Sequence, residues 1–527
     1  MAMAPLQARA CSSPTPTPTP STATLLPSSA SISAFIASDP TLTLLHTRCA
    51  SMAHLRQLHA ALVKSGLARD PIAASRAVAF CAGPGRDAAY AARLVRHHPR
   101  PNAFMWNTAI RALSDGPSPG AAVALFADML RSDTAPERRT LPCLFAAYAR
   151  LGRAGDGAAL HGMALKLALA GDAYVRNAAI AMYASAGRAE EALALFRRCQ
   201  EFDVVACNSV IVALARAGRV DEAREVFDGM PERTVATWSA MASAYARAAR
   251  CGEAMELFSA MQAGGVEPNA NVLVTVLGCC ASLGALEQGE WVHAYVDKGN
   301  VAMNALVVTA LVDMYCKCGS IDKARRVFDT ARSQGLAKLS SWNSMMQGLA
   351  VHGQCDEALA LFSELKSHGL APDNVTFIAV LTAYGHAGNP DEAKAAFASM
   401  ETEHDVEPGI EHYGCLVDAL ARAGRLQEAE DTIRAMPVAP DAAVWGALLS
   451  GCRLHCDAEA AARAAREAVR CDPRDSGAYV LAASVLARGG EAGRGAGVRG
   501  RMREAGVAKV PGCSMIEVDG VVHEFVS

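Results

Sequence analysis

Charge of either sign is scarce in this chain where it would reveal most. Between Met1 and Ser38 there is one Arg, Arg9, and no acidic residue. Over all 527 residues, 50 Lys and Arg stand against 53 Asp and Glu, a net charge of −3. The basic excess usual in whole-surface nucleic-acid binders is therefore missing, although a groove can still be locally positive. No apolar run approaches the roughly 18 residues needed to cross a bilayer, so no membrane partner is expected. The 17 cysteines never stand in C-x-x-C spacing. That speaks against a disulfide scaffold and suits free thiols in a reducing compartment.

What is present is repetition. Aligned on a small polar residue near each start, the segments Ala103 to Glu137 (35 residues), Arg138 to Asp172 (35) and Ala173 to Asp203 (31) follow one another. Val204 to Thr234 (31), Val235 to Asn269 (35), Ala270 to Asn304 (35), Ala305 to Lys338 (34) and Leu339 to Asp373 (35) continue the series. Asn374 to Gly409 (36) and Ile410 to Asp441 (32) close it, and Pro71 to Asn102 and Asp39 to Asp70 fit upstream. A period in the thirties predicts stacked helical hairpins, an all-α solenoid of about twelve repeats over 39–441. The first helix of a repeat carries an apolar stripe such as Val210, Ile211 and Leu214, and ends at a glycine (Gly187, Gly218, Gly319, Gly353, Gly388, Gly424) suited to a left-handed cap. The second opens on acids, Asp221-Glu222 or Asp356-Glu357, at the end where negative charge is favoured. Its Ala (Ala192, Ala223, Ala254, Ala324, Ala358, Ala393) permits close helix approach. The following Phe (Phe196, Phe227, Phe258, Phe328, Phe362, Phe397) is expected to fill the space between hairpins.

Ahead of the array, 1–38 is rich in Ser, Thr, Pro and Ala, with strict Pro-Thr alternation from Pro14 to Pro20. Such a segment is expected to be disordered. An acid-free, Ser-rich leader resembles an organellar transit peptide. Its Met-Ala start and single arginine point to a chloroplast, with the mitochondrion as the alternative.

Folding does not explain two further columns of residues. The fifth place of a repeat holds Ser75, Asn107, Asn177, Asn208, Ser239, Thr309, Asn343 and Gly414. The closing place of the same repeats holds Asn102, Glu137, Asp203, Thr234, Asn269, Lys338, Asp373 and Asp441. In a hairpin array both places face the inner groove. Amides offer a donor and an acceptor, hydroxyls either, and carboxylates accept only, so such pairs can probe base edges. Helix capping, which Asn, Ser, Thr and Asp also perform, is the competing explanation. The long repeats carry Pro142, Val274 and Ile378 at the fifth place and should read little.

The stretches MWNTAIRAL, ACNSVIVALARAGRVDEAREVFDGMPE, TALVDMYCKCGSIDKARRVFD and SWNSMMQGLAVHGQCDEALALF resemble pentatricopeptide repeats of the plant type that mixes standard, long and short motifs (the PLS subfamily). The resemblance covers about nine tenths of the chain. It implies a right-handed α-solenoid that binds single-stranded organellar RNA, one base per repeat, through the fifth and closing residues. A tetratricopeptide scaffold would show a strict 34-residue period and its own Trp/Gly/Tyr signature, neither of which occurs. His59, His161 and His293 resemble the family's structural histidine. AVWGALLSGCRLHCD (Ala443 to Asp457) and SGAYVLAASVLA (Ser476 to Ala487) resemble the two E extension motifs of organellar RNA-editing factors, placed at 442–509. PGCSMIEVDGVVHEF (Pro511 to Phe525) resembles the start of the following E+ segment, 510–527. SMIEV and VVHEF flank the turn signal Asp519-Gly520, so a short C-terminal β-hairpin is expected. Met515 stands where the family suggests Trp, and glycines 489, 490, 493, 495, 497 and 500 should weaken the last helical hairpin.

Relatives with their own DYW-type cytidine deaminase continue with H-x-E and P-C-x-x-C; this sequence has neither. Cys452 and Cys456, spaced C-x-x-x-C with His455 between them, form a poor ligand pair on one face of an expected helix. The resemblance thus implies no catalytic residue, metal or cofactor in the chain. It implies a site-recognition factor for C-to-U editing, partnered by a trans-acting DYW-type deaminase and multiple organellar RNA editing factors. An RNA stabilisation or splicing role, or a protein–protein scaffold, are the alternatives.

Overall fold

A computed structural model of the chain describes residues 29–83, 85–198, 203–299, 301–488, 492–509, 513–518 and 521–526. They form two compact units, one ending at Ala186 and the other beginning at Gly187. Each is a stack of helical hairpins. In the second unit the first helices are Val204–Arg216, Val235–Arg247, Ala270–Leu283, Ala305–Lys317, Leu339–Val351, Asn374–Ala387, Ile410–Arg422, Ala442–His455 and Ser476–Arg488. Each packs against the next, making one continuous row. Second helices such as Val220–Asp228, Cys251–Ala263 and Cys355–Ser367 lie on their own first helix and on the following one, as a second layer. In the first unit the row is Pro71–Cys81, Ala103–Asp115, Thr140–Arg150 and Ala173–Ser185.

Local chemistry sets the boundaries. The residue closing one repeat is the N-cap of the next first helix: the side chains of Asp203, Asn269, Asn304, Asp373 and Asp441 accept from backbone N–H groups of the first turn. Each such cap stabilises a helix by about 1 kcal/mol. At the other end Gly218 and Gly353 take φ of +76° and +78°, where a Cβ would be strained. The alanines at the hairpin crossing, Ala192, Ala223, Ala254, Ala324, Ala358 and Ala393, are all buried. The phenylalanines divide. Phe227, Phe258 and Phe328 are buried, whereas Phe196, Phe362 and Phe397 are only half-buried, so the expectation of a uniform core column is corrected. Several meet the fourth residue of the next first helix edge to face: Phe227 with Trp238 at 5.0 Å, Phe328 with Trp342 at 4.9 Å, Phe397 with Tyr413 at 4.9 Å between centroids.

The alternation of repeat length is absorbed in one layer. In the 35-residue repeats the second helices Pro119–Arg131, Cys251–Ala263 and Cys355–Ser367 have 13 residues. In the repeats of 31 or 32 residues, Ala189–Phe196, Val220–Asp228 and Leu426–Arg434 have 8, 9 and 9. The difference is about one helical turn. First helices are nearly constant at 13 or 14 residues from Ala173–Ser185 onward.

Both ends differ from expectation. Residues 1–28 of the leader lie outside the described residues, but Ser29–Ser38 is helical with Ile36 buried, which corrects the expectation of disorder across all of 1–38. Near the other end, Ala492–Glu504 is helical despite its glycines. A Cβ on Gly495 would stand 2.9 Å from the Ala483 carbonyl oxygen, so this glycine lets the last two helices touch rather than merely loosening them. Gly489 and Gly490 lie outside the described residues. Strands Cys513–Val518 and Val521–Val526 pair antiparallel with Ile516 opposite His523, and the expected turn at Asp519-Gly520 lies outside the described residues.

Among the described glycines, the tightest approach to a neighbouring backbone marks the entry to the extension. A Cβ on Gly451, in Ala442–His455, would fall 2.4 Å from Ala421 Cβ and 2.8 Å from the Ala421 carbonyl oxygen. Backbone cannot yield as a side chain can. Gly451→Ala is expected to cost about 1–3 kcal/mol through overpacking. Thermal melting followed by circular dichroism should show an early transition, and an unchanged melt would show that the helices separate without cost.

Candidate nucleic-acid interface

Two repeats bring fifth and closing residues together in the same hydrogen-bonded cycle. Asn343 Nδ2 donates to Asp373 Oδ1 at 2.9 Å, while Asn343 Oδ1 accepts from the Thr376 hydroxyl at 2.8 Å. Asp373 Oδ1 also accepts the Thr376 backbone N–H at 2.9 Å, which is the helix cap. The Asp373 N–H in turn donates to Thr376 Oγ1 at 3.1 Å. In the first unit Asn107 Nδ2 donates to Glu137 Oε2 at 3.2 Å, and Asn107 Oδ1 accepts from Thr140 at 2.6 Å. The Glu137 N–H donates to Thr140 Oγ1 at 2.9 Å. In both cycles one carboxylate oxygen takes the internal contacts. The other, Asp373 Oδ2 or Glu137 Oε1, has no hydrogen-bond or ion-pair partner among the described residues. Capping and presentation to the groove are therefore compatible at Asp373.

The other pairs vary. Asn102 Nδ2 donates to Ser75 Oγ at 3.3 Å while its Oδ1 caps Met105 at 2.9 Å. Ser239 and Asn269 are not bonded to each other but line one cavity of about 310 Å³ together with Arg247. No side-chain bond joins Asn208 to Thr234: Asn208 Oδ1 is buried without a partner, and Thr234 faces Thr237. Thr309 turns to the Ala305 carbonyl, Ser340 and Ser341 rather than to Lys338, whose side chain caps nothing. Gly414 offers only space, its missing Cβ lying 3.8 Å from Val444 Cγ2, while Asp441 caps Val444. Asn177 belongs to one compact unit and Asp203, which caps Val205 and Ala206, to the other.

Sequence reasoning missed three further columns. At the second place of their repeats, Phe104, Tyr174, Val205, Leu306 and Val375 are exposed apolar side chains, Tyr174 at 77%. At the third place stand buried hydroxyls, Thr140, Thr237, Ser341 and Thr376. Exposed Arg111, Arg139 and Arg247 form no ion pair among the described residues. Phe104, Asn107, Arg111, Glu137, Arg139 and Tyr174 all line one cavity of about 780 Å³. An apolar residue one place into a helix, where the stripe should face outward, was the available signal.

Charge on the second helices is used up internally. Arg219 binds Glu222 of its own helix and Glu190 of the preceding second helix. Arg250 does the same with Glu253 and Asp221, and Arg425 with Glu428 and Asp391. These hydrogen-bonding arginines hold the Glu222 and Asp391 carboxyls below their usual range. His59, His161 and His293 meet the hydroxyls of Tyr90, Tyr183 and Tyr315 at 2.9, 3.3 and 2.9 Å. Burial lowers the pKa of His59. Among the described residues no three His, Cys, Asp or Glu side chains gather in a metal-holding group. Cys456 caps its helix at φ +57° and is exposed, while Cys452 is buried with its thiol pushed to about 12 by burial. The two do not share a helix face as expected.

This architecture has known counterparts. The PPR repeat matches residues 174–204, 205–235, 236–266, 307–336, 375–404 and 411–439, the PPR repeat family model matches 338–386, and the E motif matches 455–517. A pentatricopeptide repeat-containing protein of Arabidopsis thaliana, named as chloroplastic, is 49% identical over 504 residues, covering 95% of this chain and 89% of that one. Another from the same plant, named as mitochondrial, is 33% identical over 598 residues, covering 94% and 87%. The crystal structure of the pentatricopeptide repeat protein PPR10 from maize superposes with a TM-score of 0.50 at 18% identity, over 91% of this chain and 79% of that one, a likeness of fold. The chain belongs to the pentatricopeptide repeat family, in its plant form with a C-terminal E extension.

Proposed function

We propose that the protein binds single-stranded RNA in an organelle and selects a cytidine for C-to-U editing, with the deaminase supplied by another protein. The observation that carries the binding is the joint placement, in one cavity, of an Asn–acid pair, exposed aromatic side chains and unpaired arginines. Aromatic faces stack bases, arginines neutralise phosphates, and the pair meets a base edge. The free carboxylate oxygen of Asp373 accepts a ring N–H, and the remaining N–H of Asn343 donates to an adjacent carbonyl. Uracil offers that combination and cytosine does not. Asn107 with Glu137 and Asn208 with Thr234 are looser pyrimidine readers. Ser75 with Asn102 and Ser239 with Asn269 are assigned to adenine, because an Asn N–H donates to its ring nitrogen.

The editing role rests on the E motif and on the exposed basic side chains Arg499, Arg501, Arg503 and Lys509 within it, which suit a partner rather than a substrate. An organellar location is supported by the leader and by relatives named as chloroplastic and mitochondrial. The chain is not itself an enzyme in this reading, and the deaminase and further editing factors are its partners.

Two experiments test the proposal. In a randomised-RNA selection, Asn343→Ser should move one position of the bound consensus from uracil toward guanine, a change worth about 1–3 kcal/mol. An unchanged consensus removes the base assignment, and binding to protein alone with no RNA would mark a scaffold. Truncation after Asp441 should leave RNA affinity nearly intact and abolish editing when returned to a null mutant. Full complementation by the truncated chain would replace editing with RNA stabilisation.

A further inference from the structure

The third-place hydroxyls do more than cap helices. Thr376 and Thr140 are fully buried, and each sits between a closing residue and a fifth-place amide. A hydroxyl carries one proton. Each threonine oxygen already accepts the backbone N–H of the closing acid; the Thr140 proton then goes to Asn107 Oδ1, while the Thr376 proton is shared between Asn343 Oδ1 and Asp373 Oδ1, both at 2.8 Å. A carboxylate only accepts, so the amide nitrogen must face the acid and the amide oxygen must face the threonine. Acid and hydroxyl together therefore fix both the flip and the rotation of the amide, leaving one N–H and one carboxylate oxygen outward.

The neighbouring repeats supply the comparison. Where the fifth residue is Ser75, Ser239 or Gly414, with no amide to orient, the third place holds apolar Met105, Val272 or Val444. Where the closing residue is Thr234 instead of an acid, the Thr237 hydroxyl turns to Thr234 at 3.2 Å, and Asn208 Oδ1 is left buried without a partner. A fifth-place amide is held at Asn107 and Asn343, where acid and hydroxyl are both present, and not at Asn208, where the acid is missing.

We infer that Thr376 and Thr140 are positioning residues for base selection, fixing the amides of Asn343 and Asn107 so that each pair presents a donor beside an acceptor. The inference rests on the base-reading assignment proposed above. At the Asn343–Asp373 pair it commits to a pyrimidine with a carbonyl beside a ring N–H, which is uracil, and the looser Asn107–Glu137 pair leans the same way. Without the hydroxyl, buried Asn343 loses the donor to its oxygen and must turn toward water, taking its N–H away from the base.

The test uses the full-length chain and randomised single-stranded RNA. Wild type, Thr376→Val, Thr376→Ser and Thr140→Val are compared, with the Asn343→Ser variant locating the relevant position. Thr376→Val should lower the uracil-to-cytosine ratio at that position alone by about fivefold, the equivalent of one net hydrogen bond. Thr376→Ser should restore it, and the consensus elsewhere should stand. A uniform loss of affinity with the ratio unchanged would make the threonine merely structural and overturn the inference, while the base assignment survives. A wild-type profile without base preference at any position would overturn both. If Thr376→Val fails to fold, Thr140→Val decides the matter at the Asn107–Glu137 position.

Discussion

Most first helices in the second unit begin where the side chain closing the previous repeat caps them, the starts after Lys338 and Gly409 being the exceptions. Asp203, Asn269, Asp373 and Asp441 each close one repeat and cap the next. A helix start leaves backbone N–H groups without intrahelical partners, and buried orphans are costly, so the cap cannot drift along the chain. With the start pinned, the fifth residue falls one turn inside, on the face turned toward the neighbouring cap. The pair geometry is thus a by-product of folding. Length variation has to go elsewhere, and it goes into the second helices, which shorten by about one turn without disturbing the row.

The far ends of the first helices are tied by a related device. His352 reaches the Cys316 carbonyl at 2.8 Å, His386 the Ala350 carbonyl at 2.9 Å, and His455 the Arg422 carbonyl at 2.9 Å. Each side chain satisfies a carbonyl near the end of the preceding first helix. The first helices Asn374–Ala387 and Ala442–His455 are therefore held at both ends, by an aspartate cap at the start and by a histidine at the finish. Rigid registration is what a surface must have if it is to meet a polymer at regular intervals.

Much of this was legible in the residues. Repeat starts at Val204, Ala270 and Asn374 coincide with the first residues of helices, because capping residues and apolar stripes are local signals. The crossing alanines were equally plain. The third-place hydroxyls were not, since Thr376, between Val375 and Phe377, looks like an ordinary polar residue at a helix start until its oxygen is seen between Asn343 and Asp373. That contact spans 33 residues, and no local pattern reports it. Half-burial of Phe362 and Phe397 was hidden for the same reason: it depends on the next hairpin, not on the Phe itself. Gly495 was misjudged because helix propensity was weighed without the approach of Ala483.

Near-neutral net charge had counted against nucleic acid, and the structure shows why the sum misleads. Arginines opening the second helices are spent on acids of their own and the preceding helix, as Arg219, Arg250 and Arg425 illustrate. Those groups cancel at short range and contribute little field beyond a Debye length of about 8–10 Å. What a polyanion would meet is the residue of that cancellation, and it includes Arg111, Arg139 and Arg247 beside the fifth-place column. Binding through a few such cations should be modest and salt-sensitive, leaving discrimination to the pairs. A chain whose electrostatic grip is weak would depend on the geometry of its amides, and buried hydroxyls meet two of them, Asn107 and Asn343.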